Sequence, residues 1–265
     1  MKISVIMGVY NCEDRVISAI DSIQKQTFTD WEFIICDDCS TDNTYEKLLE
    51  YSKSDNRLTI LKNEHNMRLA YTLNRCLEVA KGEYIARMDD DDYSYSERFG
   101  KQVEFLDNNP EYDFVSSGVD IYDGEKIISH NKPQYITPRK EDFLWNTCFV
   151  HPATMFRATK LREVNGYRVA KETRRTEDFD LFTRMYAKGM QGYNLSSCLL
   201  RYYVNPFIMT EKRKYKYRVD AVIVRYKRFK ELGLLPKGLL YVIKPLIVGL
   251  IPNKMLYKLH NKSIE

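Results

Sequence analysis

Short apolar runs alternate with segments of helical periodicity between residues 3 and 88, and this alternation restricts the possible folds more than any other feature. The apolar runs are residues 3–9, 31–36, 58–61 and 83–88. In the first interval between runs, Val16, Ile20 and Ile23 recur at helical spacing. Strands that alternate with short helices form right-handed βαβ units and a parallel sheet. We therefore predict an α/β fold.

The length and composition are those of one folded domain with an extension. The chain has 265 residues, of which 44% are hydrophobic and 29% charged, so collagen-like, disordered and low-complexity classes are excluded. Six cysteines are too few for a disulfide scaffold, and the apolar start gives way to polar residues after Val9, too early for a signal peptide. We expect a reducing, cytoplasmic compartment.

The alternation becomes less regular after Asp92. The sequence predicts a helix at about 96–107, extended segments near 114–122 and 149–156, and a helix at about 179–188. A mixed region of this kind commonly shapes a second substrate site. No internal repeat is visible.

The last 55 residues differ from the rest in charge. Residues 211–265 contain fourteen Lys and Arg against four Asp and Glu, a net +10 within a chain of +4, so residues 1–210 carry −6. A basic amphipathic helix is predicted there from an apolar stripe. The stripe consists of Tyr215, Val219, Val222, Tyr226 and Phe229. An apolar segment at 239–252 follows, but Lys244 and Pro245 interrupt it, so it is too short to span a bilayer.

Acidic residues follow three of the predicted strands at the point where each strand ends. Glu13 comes shortly after the first strand, Asp37 and Asp38 follow the second, and four aspartates at 89–92 follow the fourth. Ligands of open parallel sheets bind beyond the carboxyl ends of the strands. Several carboxylates should therefore gather at one edge of the sheet.

The four aspartates at 89–92 predict a cation site. Adjacent carboxylates repel one another unless a positive charge neutralises them. Mg²⁺ or Mn²⁺ suits a site with one or two protein carboxylates, in which water and substrate phosphates supply the other ligands. A solvated acidic turn is the alternative, but the position directly after an apolar strand favours the cation site. The chain lacks GxGxxG and GxxxxGK[ST] segments, which argues against a dinucleotide dehydrogenase and a P-loop NTPase.

Four motifs then occur in order along the chain. They are Val-Tyr-Asn at 9–11, Asp-Asp-Cys-Ser-Thr-Asp-Asn-Thr at 37–44, Ala-Lys-Gly-Glu-Tyr-Ile-Ala-Arg-Met with the four aspartates at 80–92, and Thr-Glu-Asp-Phe-Asp-Leu at 176–181. Over about residues 3–205 the chain resembles inverting family 2 glycosyltransferases. The resemblance implies the GT-A fold, a Rossmann-like, mixed and mostly parallel sheet flanked by helices. It also implies sugar transfer from a nucleotide-sugar with Mn²⁺ or Mg²⁺ as cofactor.

The same resemblance implies which residues bind the donor. Val9, Tyr10, Asn11, Asp37 and Asp38 would line the nucleoside pocket, with Asp38 toward the uracil of a UDP-sugar.

Other residues would bind the diphosphate and the metal. Asp91, the second aspartate of the family's DxD motif, would bind the metal directly, and Asp89 would approach the metal or the ribose. The other donor-binding residues implied are Arg68, Arg87 and Asp90, with Asp92 beside the metal. Arg68 lies where the family often has Gly-Leu.

The reaction also needs a base on the acceptor side, because a sugar hydroxyl group is a poor nucleophile. The resemblance identifies Asp178 as that base, with Glu177 in support; from the residues alone, both could be an acidic helix start favoured by the helix dipole. His151 and Tyr167 are implied to line the acceptor site, although a lone histidine is more often structural. Where relatives commonly read Tyr-Arg-x-His, this chain has Tyr-Tyr-Val-Asn at 202–205.

We therefore expect a domain at 1–210, with a nucleotide-binding half at 1–92 and an acceptor-binding half at 93–210. The segment 211–265 is expected to contact an anionic membrane surface, since Lys254, Lys258 and Lys262 recur beside apolar residues. The function expected is transfer of a sugar to a lipid-linked, for example polyprenyl-linked, or cell-surface glycan by a peripheral protein on the inner face of the cell membrane.

Two alternatives remain open from the sequence. A sugar-phosphate nucleotidyltransferase shares nucleotide and Mg²⁺ binding, but it normally has a Gly-rich basic loop after the first strand. A non-catalytic membrane or nucleic-acid binder could be built around the basic tail, yet the acidic body argues against a nucleic-acid partner. The CxxC spacing of Cys36 and Cys39 has no second pair to complete a zinc site.

Overall fold

A computed structural model of the chain describes residues 1–204 and 215–250. The predictions for Asn205, for residues 211–214 and for the lysines beyond residue 250 lie outside the described residues.

Within these residues, nine strands form one sheet. In chain order they are β1 (Ile3–Val9), β2 (Trp31–Asp37), β3 (Leu58–Lys62), β4 (Tyr84–Arg87), β5 (Tyr93–Ser94), β6 (Phe114–Tyr122), β7 (Ile127–Asn131), β8 (Met155–Arg157) and β9 (Gly192–Tyr203). Their spatial order is β3-β2-β1-β4-β8-β6-β9-β5, and β7 pairs with β6. Strands β1 to β4 pair in parallel, as do β6 and β9, whereas β8 runs antiparallel to both of its neighbours. The predicted mixed and mostly parallel sheet is confirmed.

Helices cover both faces of this sheet. They are α1 (Val16–Gln24), α2 (Thr44–Ser52), α3 (Leu69–Val79), α4 (Arg98–Asn108), α5 (Ala158–Glu163), α6 (Glu177–Ala187), α7 (Tyr215–Glu231) and α8 (Leu239–Leu250), with 3-10 turns at Lys140–Leu144, His151–Ala153 and Lys171–Thr173. Alternate residues of β1 enter different cores. Val5 packs with α1 and α4 residues, and Ile6 packs with residues of α3, α6 and α7. Because both faces are covered, β1 and β2 read as continuous apolar runs.

The prediction of an extended segment at 149–156 is wrong for the centre of that segment. His151–Ala153 forms a 3-10 turn, and the strand that follows is only Met155–Arg157. An apolar run of this length does not distinguish a buried turn from a buried strand, because both bury every side chain.

The apolar stripe predicted for α7 is divided between solvent and core. Tyr215, Val219 and Tyr226 are exposed, while Phe229 of the stripe is buried together with Val224, Arg225 and Arg228. Two arginines turn inward because the body offers them acceptors: Arg228 approaches Asp180 at 3.6 Å, and Arg225 donates to the Leu144 and Trp145 carbonyl groups at 3.0 and 3.1 Å. None of the helices in the described part of the chain is long and apolar enough to cross a bilayer.

Candidate active site

A cavity of about 900 Å³ opens where β4 ends and α6 begins. Its wall includes Arg87, Asp89, Asp90 and Asp91 from the β4 end and Glu177 and Asp178 from the start of α6. His151 and the last residues of β9 complete the wall. The predicted metal-binding and catalytic residues therefore share one cavity, although they are almost ninety positions apart in the chain.

The aspartates after β4 have different partners. Asp89 accepts a hydrogen bond from the Arg87 guanidinium, and Asp90 lies 3.5 Å from Arg15. Asp92 is buried and accepts the backbone N–H of Tyr203 at 2.9 Å, while its second oxygen has no partner in the described structure. Asp92 thus holds the end of β9 against this edge of the sheet, and Asp89 to Asp91 face the cavity.

Charge crowding at this edge favours a bound cation. Burial, reinforced by Asp90 and Asp89, raises the pKa of Asp91 to about 7. Burial likewise raises the pKa of Asp92, with Asp89 adding to the effect. These carboxyl groups ionise readily only beside additional positive charge.

The residues fit a divalent cation with few protein ligands. Across residues 1–204 and 215–250, no three His, Cys, Asp or Glu side chains converge to hold an ion by themselves. Mg²⁺ and Mn²⁺ accept one or two carboxylates and fill their remaining positions with water and substrate phosphates. Asp91, with Asp89 beside it, is such a donor set.

Arg87 is fully buried yet borders the cavity. Its Nε and Nη1 atoms have no hydrogen-bond partner among the described residues, while Nη2 contacts Asp89. Leaving guanidinium N–H groups buried and unpaired is costly. An anionic group in the cavity, such as a diphosphate, would satisfy them.

The start of α6 supplies the two carboxyl groups that were predicted for the acceptor side, Glu177 and Asp178. Burial, and next Asp178, raise the pKa of Glu177 to about 8, and its Oε2 atom has no partner in the described structure. Burial also raises the pKa of Asp178, one of whose oxygens accepts the Phe179 N–H at 2.7 Å. The third acid of the turn, Asp180, is excluded from the cavity and accepts hydrogen bonds from Arg168 and Arg184 at 3.0 and 2.7 Å.

His151 lines the cavity, whereas Tyr167 supports it from behind. The His151 Nε2 atom and the Tyr167 hydroxyl group are 2.7 Å apart, and Tyr167 is buried outside the lining. Burial, with Arg87 nearby, lowers the pKa of His151 well below its usual value, so the ring is neutral. Gly166 is required before Tyr167, because its φ is +59° and a Cβ would lie 2.6 Å from the Asn74 amide oxygen.

The predicted nucleoside residues lie at the ends of β1 and β2, beside the cavity rather than in its lining. The Asp38 carboxylate accepts three hydrogen bonds, from Asn63 Nδ2 and from the backbone N–H groups of Met67 and Arg68. Asp38 therefore fixes the loop that contains Arg68, whose φ is +75°. The carboxylate oxygen without a partner in the described residues belongs to its neighbour, Asp37.

The other predicted nucleoside residues lie at the end of β1. Asn11 exchanges hydrogen bonds with the 40–41 turn, donating from its backbone to Ser40 Oγ at 3.0 Å and accepting from the Thr41 N–H at 2.9 Å. Tyr10 is 44% exposed, which leaves its ring available for stacking, and Val9 is buried.

Several lining residues were not predicted from the sequence. They are Ser117, Asn131, Lys132, Gln134, Tyr135, Asn146, Thr147, Arg175 and Asn194. Most belong to loops and to β9, whose residues show no acidic or glycine-rich signal. Arg175 had a signal, since it directly precedes the predicted acidic helix start. Tyr202 and Tyr203 also line the cavity, so a tyrosine occupies the place where an arginine is common in similar enzymes.

Fold and site together define a glycosyltransferase of GT-A architecture. The sequence model of glycosyl transferase family 2 matches residues 4–164, and the chain belongs to this family. EpsE of Bacillus subtilis (strain 168), provisionally named a glycosyltransferase, is 36% identical over 99% of this chain and 94% of its own. An Escherichia coli protein named UDP-Glc:alpha-D-GlcNAc-diphosphoundecaprenol beta-1,3-glucosyltransferase WfgD is 33% identical over 52% of each chain. The nucleotidyltransferase and non-catalytic alternatives are thereby set aside.

Solved structures show the same fold. S. aureus TarS (residues 1–349) in complex with UDP-GlcNAc superimposes with a TM-score of 0.70 over 90% of this chain and 72% of TarS, at 19% identity. The mannosyltransferase PcManGT from Pyrobaculum calidifontis, in complex with GDP-Man and Mn²⁺, has a TM-score of 0.65 over 99% of this chain and 79% of its own, at 17% identity. The predicted GT-A fold is confirmed.

Proposed function

We propose that this glycosyltransferase inverts the anomeric centre while moving a sugar from a UDP-sugar to a hydroxyl group of a lipid-linked or cell-surface glycan. The observation that carries the proposal is the single cavity in which Asp91, Arg87 and Asp178 meet. Cation-binding, diphosphate-binding and base functions are the three that a single displacement requires.

The donor would bind across the β1, β2 and β4 ends. Asp91 would bind Mn²⁺ or Mg²⁺ with Asp89 beside it, and Asp90 would be held in place by Arg15. Bound there, the ion stabilises the negative charge of the departing diphosphate. Arg87 would donate its unpaired N–H groups to the same diphosphate. The nucleoside would lie beside Tyr10, Asn11, Asp37 and the loop held by Asp38.

UDP is the donor nucleotide proposed because the E. coli relative is named for UDP-Glc and TarS was solved with UDP-GlcNAc. PcManGT, solved with GDP-Man, shows that the fold also accepts a guanine nucleotide.

Asp178 is the proposed base. The acceptor oxygen attacks the anomeric carbon as its proton passes to the Asp178 carboxylate, and the bond to the phosphate oxygen breaks with its electron pair leaving on the diphosphate. Burial raises the Asp178 pKa, which makes the carboxylate a stronger base. His151, neutral and held by Tyr167, can hydrogen-bond to the acceptor without adding a charge.

We also propose the organisation expected from the sequence, a catalytic domain at 1–210 with halves at 1–92 and 93–210, and a membrane-contacting segment at 211–265. Exposed apolar side chains on α7 and α8 support the membrane contact, among them Tyr226 (49% exposed), Leu240 (74%) and Leu250 (75%). The protein would then act as a peripheral protein on the cytoplasmic face of the membrane.

The proposal is tested by separating donor binding from turnover. We expect Mn²⁺ to strengthen UDP binding to the unmodified protein, and Asp91→Asn to remove that gain, because the cation loses its direct ligand. Asp178→Asn should retain UDP affinity while turnover falls by about 10²- to 10⁴-fold. Calorimetry and initial rates with the nucleotide-sugar that gives the largest thermal stabilisation measure both effects. Equal UDP affinity with and without metal, or near-normal turnover of Asp178→Asn, would refute the corresponding role.

A further inference from the structure

A second cavity, of about 480 Å³, lies between the start of α6 and the α7–α8 helix pair. It shares Asn146, Thr147, Arg175 and Asp178 with the central cavity, so the two spaces meet at the proposed base. A single extended acceptor could therefore place a hydroxyl group at Asp178 and extend its other end toward α7 and α8.

Four positively charged side chains lie in the wall of this second cavity. They are Arg175, Arg218, Arg225 and Lys244, and Asp178 is the one acidic residue among the described lining residues. Two neighbouring cations of α7 lie outside this lining and contact acidic residues: Lys227 contacts Glu172 at 2.9 Å and Arg228 contacts Glu231 at 2.8 Å.

Three of the lining cations are held by neutral groups. Arg225 donates to the Leu144 and Trp145 carbonyl groups, and Lys244 donates to the Trp145 carbonyl at 2.7 Å and lies 3.4 Å from the centre of the Trp145 ring. Arg175 lies 5.7 Å from the centre of the Tyr217 ring. Neutral partners orient these cations without cancelling their charge.

The field in the cavity is correspondingly positive. Burial, and next the charge of Arg225, lower the pKa of Lys244 to about 8. Burial lowers the pKa of Arg225 to about 10. An anion placed between these groups would be stabilised by both and would relieve their mutual repulsion.

We infer that this second cavity binds a phosphate or diphosphate ester of the acceptor, held by Arg175, Arg225 and Lys244 while the hydroxyl group to be glycosylated lies at Asp178. The inference rests on the proposed function, because it assigns the acceptor's chemical class to the same site. A lipid-linked diphosphate and the phosphodiester of a polyol polymer share this chemistry.

The test compares two phosphate probes, farnesyl diphosphate and glycerol 3-phosphate, by calorimetry on the full chain with UDP and Mn²⁺ present in excess to fill the donor site. The double variant Arg175→Gln/Lys244→Gln removes two cations that are exposed or half-buried, so it should fold. Loss of these contacts should weaken binding of the favoured probe by about tenfold or more. The matched control is Lys237→Gln, which removes one positive charge from an exposed side chain on the loop before α8. This variant should bind the probe as the unmodified protein does.

The two probes identify the source of the phosphate. Tighter binding of farnesyl diphosphate, lost in the double variant, indicates a lipid-linked acceptor, and tighter binding of glycerol 3-phosphate indicates a phosphodiester polymer. Equal probe affinity in the double variant and the unmodified protein would overturn the assignment. A failure of the proposed function would look different, because UDP binding would then be absent in every variant, including Lys237→Gln.

Discussion

Two adjacent carboxyl groups at the start of α6 differ in which of their oxygen atoms have partners. Asp178 accepts the Phe179 N–H, a bond to its ionised form, while Glu177 Oε2 is buried without a partner in the described structure. Because the pKa of Glu177 is raised to about 8, this group is mainly protonated at pH 7. The raised pKa of Glu177 and the N–H donated to Asp178 favour separate tasks for these neighbouring carboxyl groups.

This difference predicts unequal effects of two matched substitutions. Glu177→Gln replaces a protonated carboxyl group by an amide of the same shape, so kcat should stay within about tenfold of the unmodified enzyme, whereas Asp178→Asn should lower it by about 10²- to 10⁴-fold. Initial rates at pH 7 with one donor and one acceptor measure both. A Glu177→Gln variant as inactive as Asp178→Asn would transfer the role of base to Glu177.

The sequence predicted where the acidic residues lie but not which of their oxygen atoms accept hydrogen bonds. Acidic residues that follow the strands of a parallel sheet lie at one edge of the sheet, independently of the loop conformations. For this reason the sequence predicted that Asp91 and Asp37 lie at that edge. The Asp38 carboxylate has all its hydrogen bonds from the 63–68 loop, whereas Arg87 has N–H groups without a partner in the described residues. Both depend on loop backbone positions, which hydrophobic periodicity does not encode. The position of Asn146 in the cavity lining depends on loop backbone in the same way.

At the scale of elements, the strands and helices of the first half were predictable and the burial of two arginines of α7 was not. A parallel strand buries both faces, so its apolar run is continuous and its position is clear. The side of α7 that packs was set by Asp180 and by the carbonyl groups of Leu144 and Trp145, which draw Arg228 and Arg225 inward. The hydrophobic pattern of a helix does not indicate which hydrogen-bond acceptors a neighbouring element will offer to it.

An ion-pair cluster at Glu172 predicts how pH affects the packing of α7. Glu172 accepts hydrogen bonds from Lys227 of α7 and from Arg168, both at 2.9 Å, and these contacts, Lys227 first, lower its pKa from 4.5 to about 2. A lowered folded-state pKa gives stability that is present above the unfolded pKa and is lost as pH falls from about 4.5 through about 2. Glu172→Gln should therefore reduce the free energy of unfolding by about 0.5–1 kcal/mol at pH 7.

Urea unfolding of Glu172→Gln and the unmodified protein, from pH 7 down to pH 3, checks this expectation. The difference between the two should shrink below pH 4.5, because the unmodified carboxylate is then losing its advantage. Glu50→Gln is the control, since Glu50 pairs with Lys53 on the exposed surface of α2 and should have no measurable effect. A difference for Glu172→Gln that is constant across this pH range would assign its effect to packing instead.

For the whole molecule, the two charged cavities and the exposed apolar surface of the α7–α8 pair adjoin one another. The acidic edge of the sheet and Asp178 lie in the central cavity, the cation-lined cavity adjoins it, and the exposed apolar side chains of α7 and α8 lie on the helix pair that forms the far wall. An acceptor that carries a sugar, then a phosphate and then an apolar anchor has its chemical groups in the same order as these three regions. The sequence showed the net charges of the body and the tail. The cavity between them could not be predicted, because it depends on how α7 and α8 pack.

Membrane contact through this helix pair predicts a specific loss on vesicles. Leu240 and Ile247 of α8 are 74% and 54% exposed, so Leu240→Gln/Ile247→Gln should leave the fold intact while removing exposed apolar surface from the helix that we propose contacts the membrane. Burying such a side chain is worth about 1.5–3 kcal/mol, so partitioning onto phosphatidylglycerol vesicles should weaken by roughly tenfold or more. Leu49→Gln, which changes a 40%-exposed leucine on α2, is the matched control. Co-sedimentation measures all three proteins, and equal vesicle binding by the double variant and the control would mean that this helix pair does not contact the bilayer.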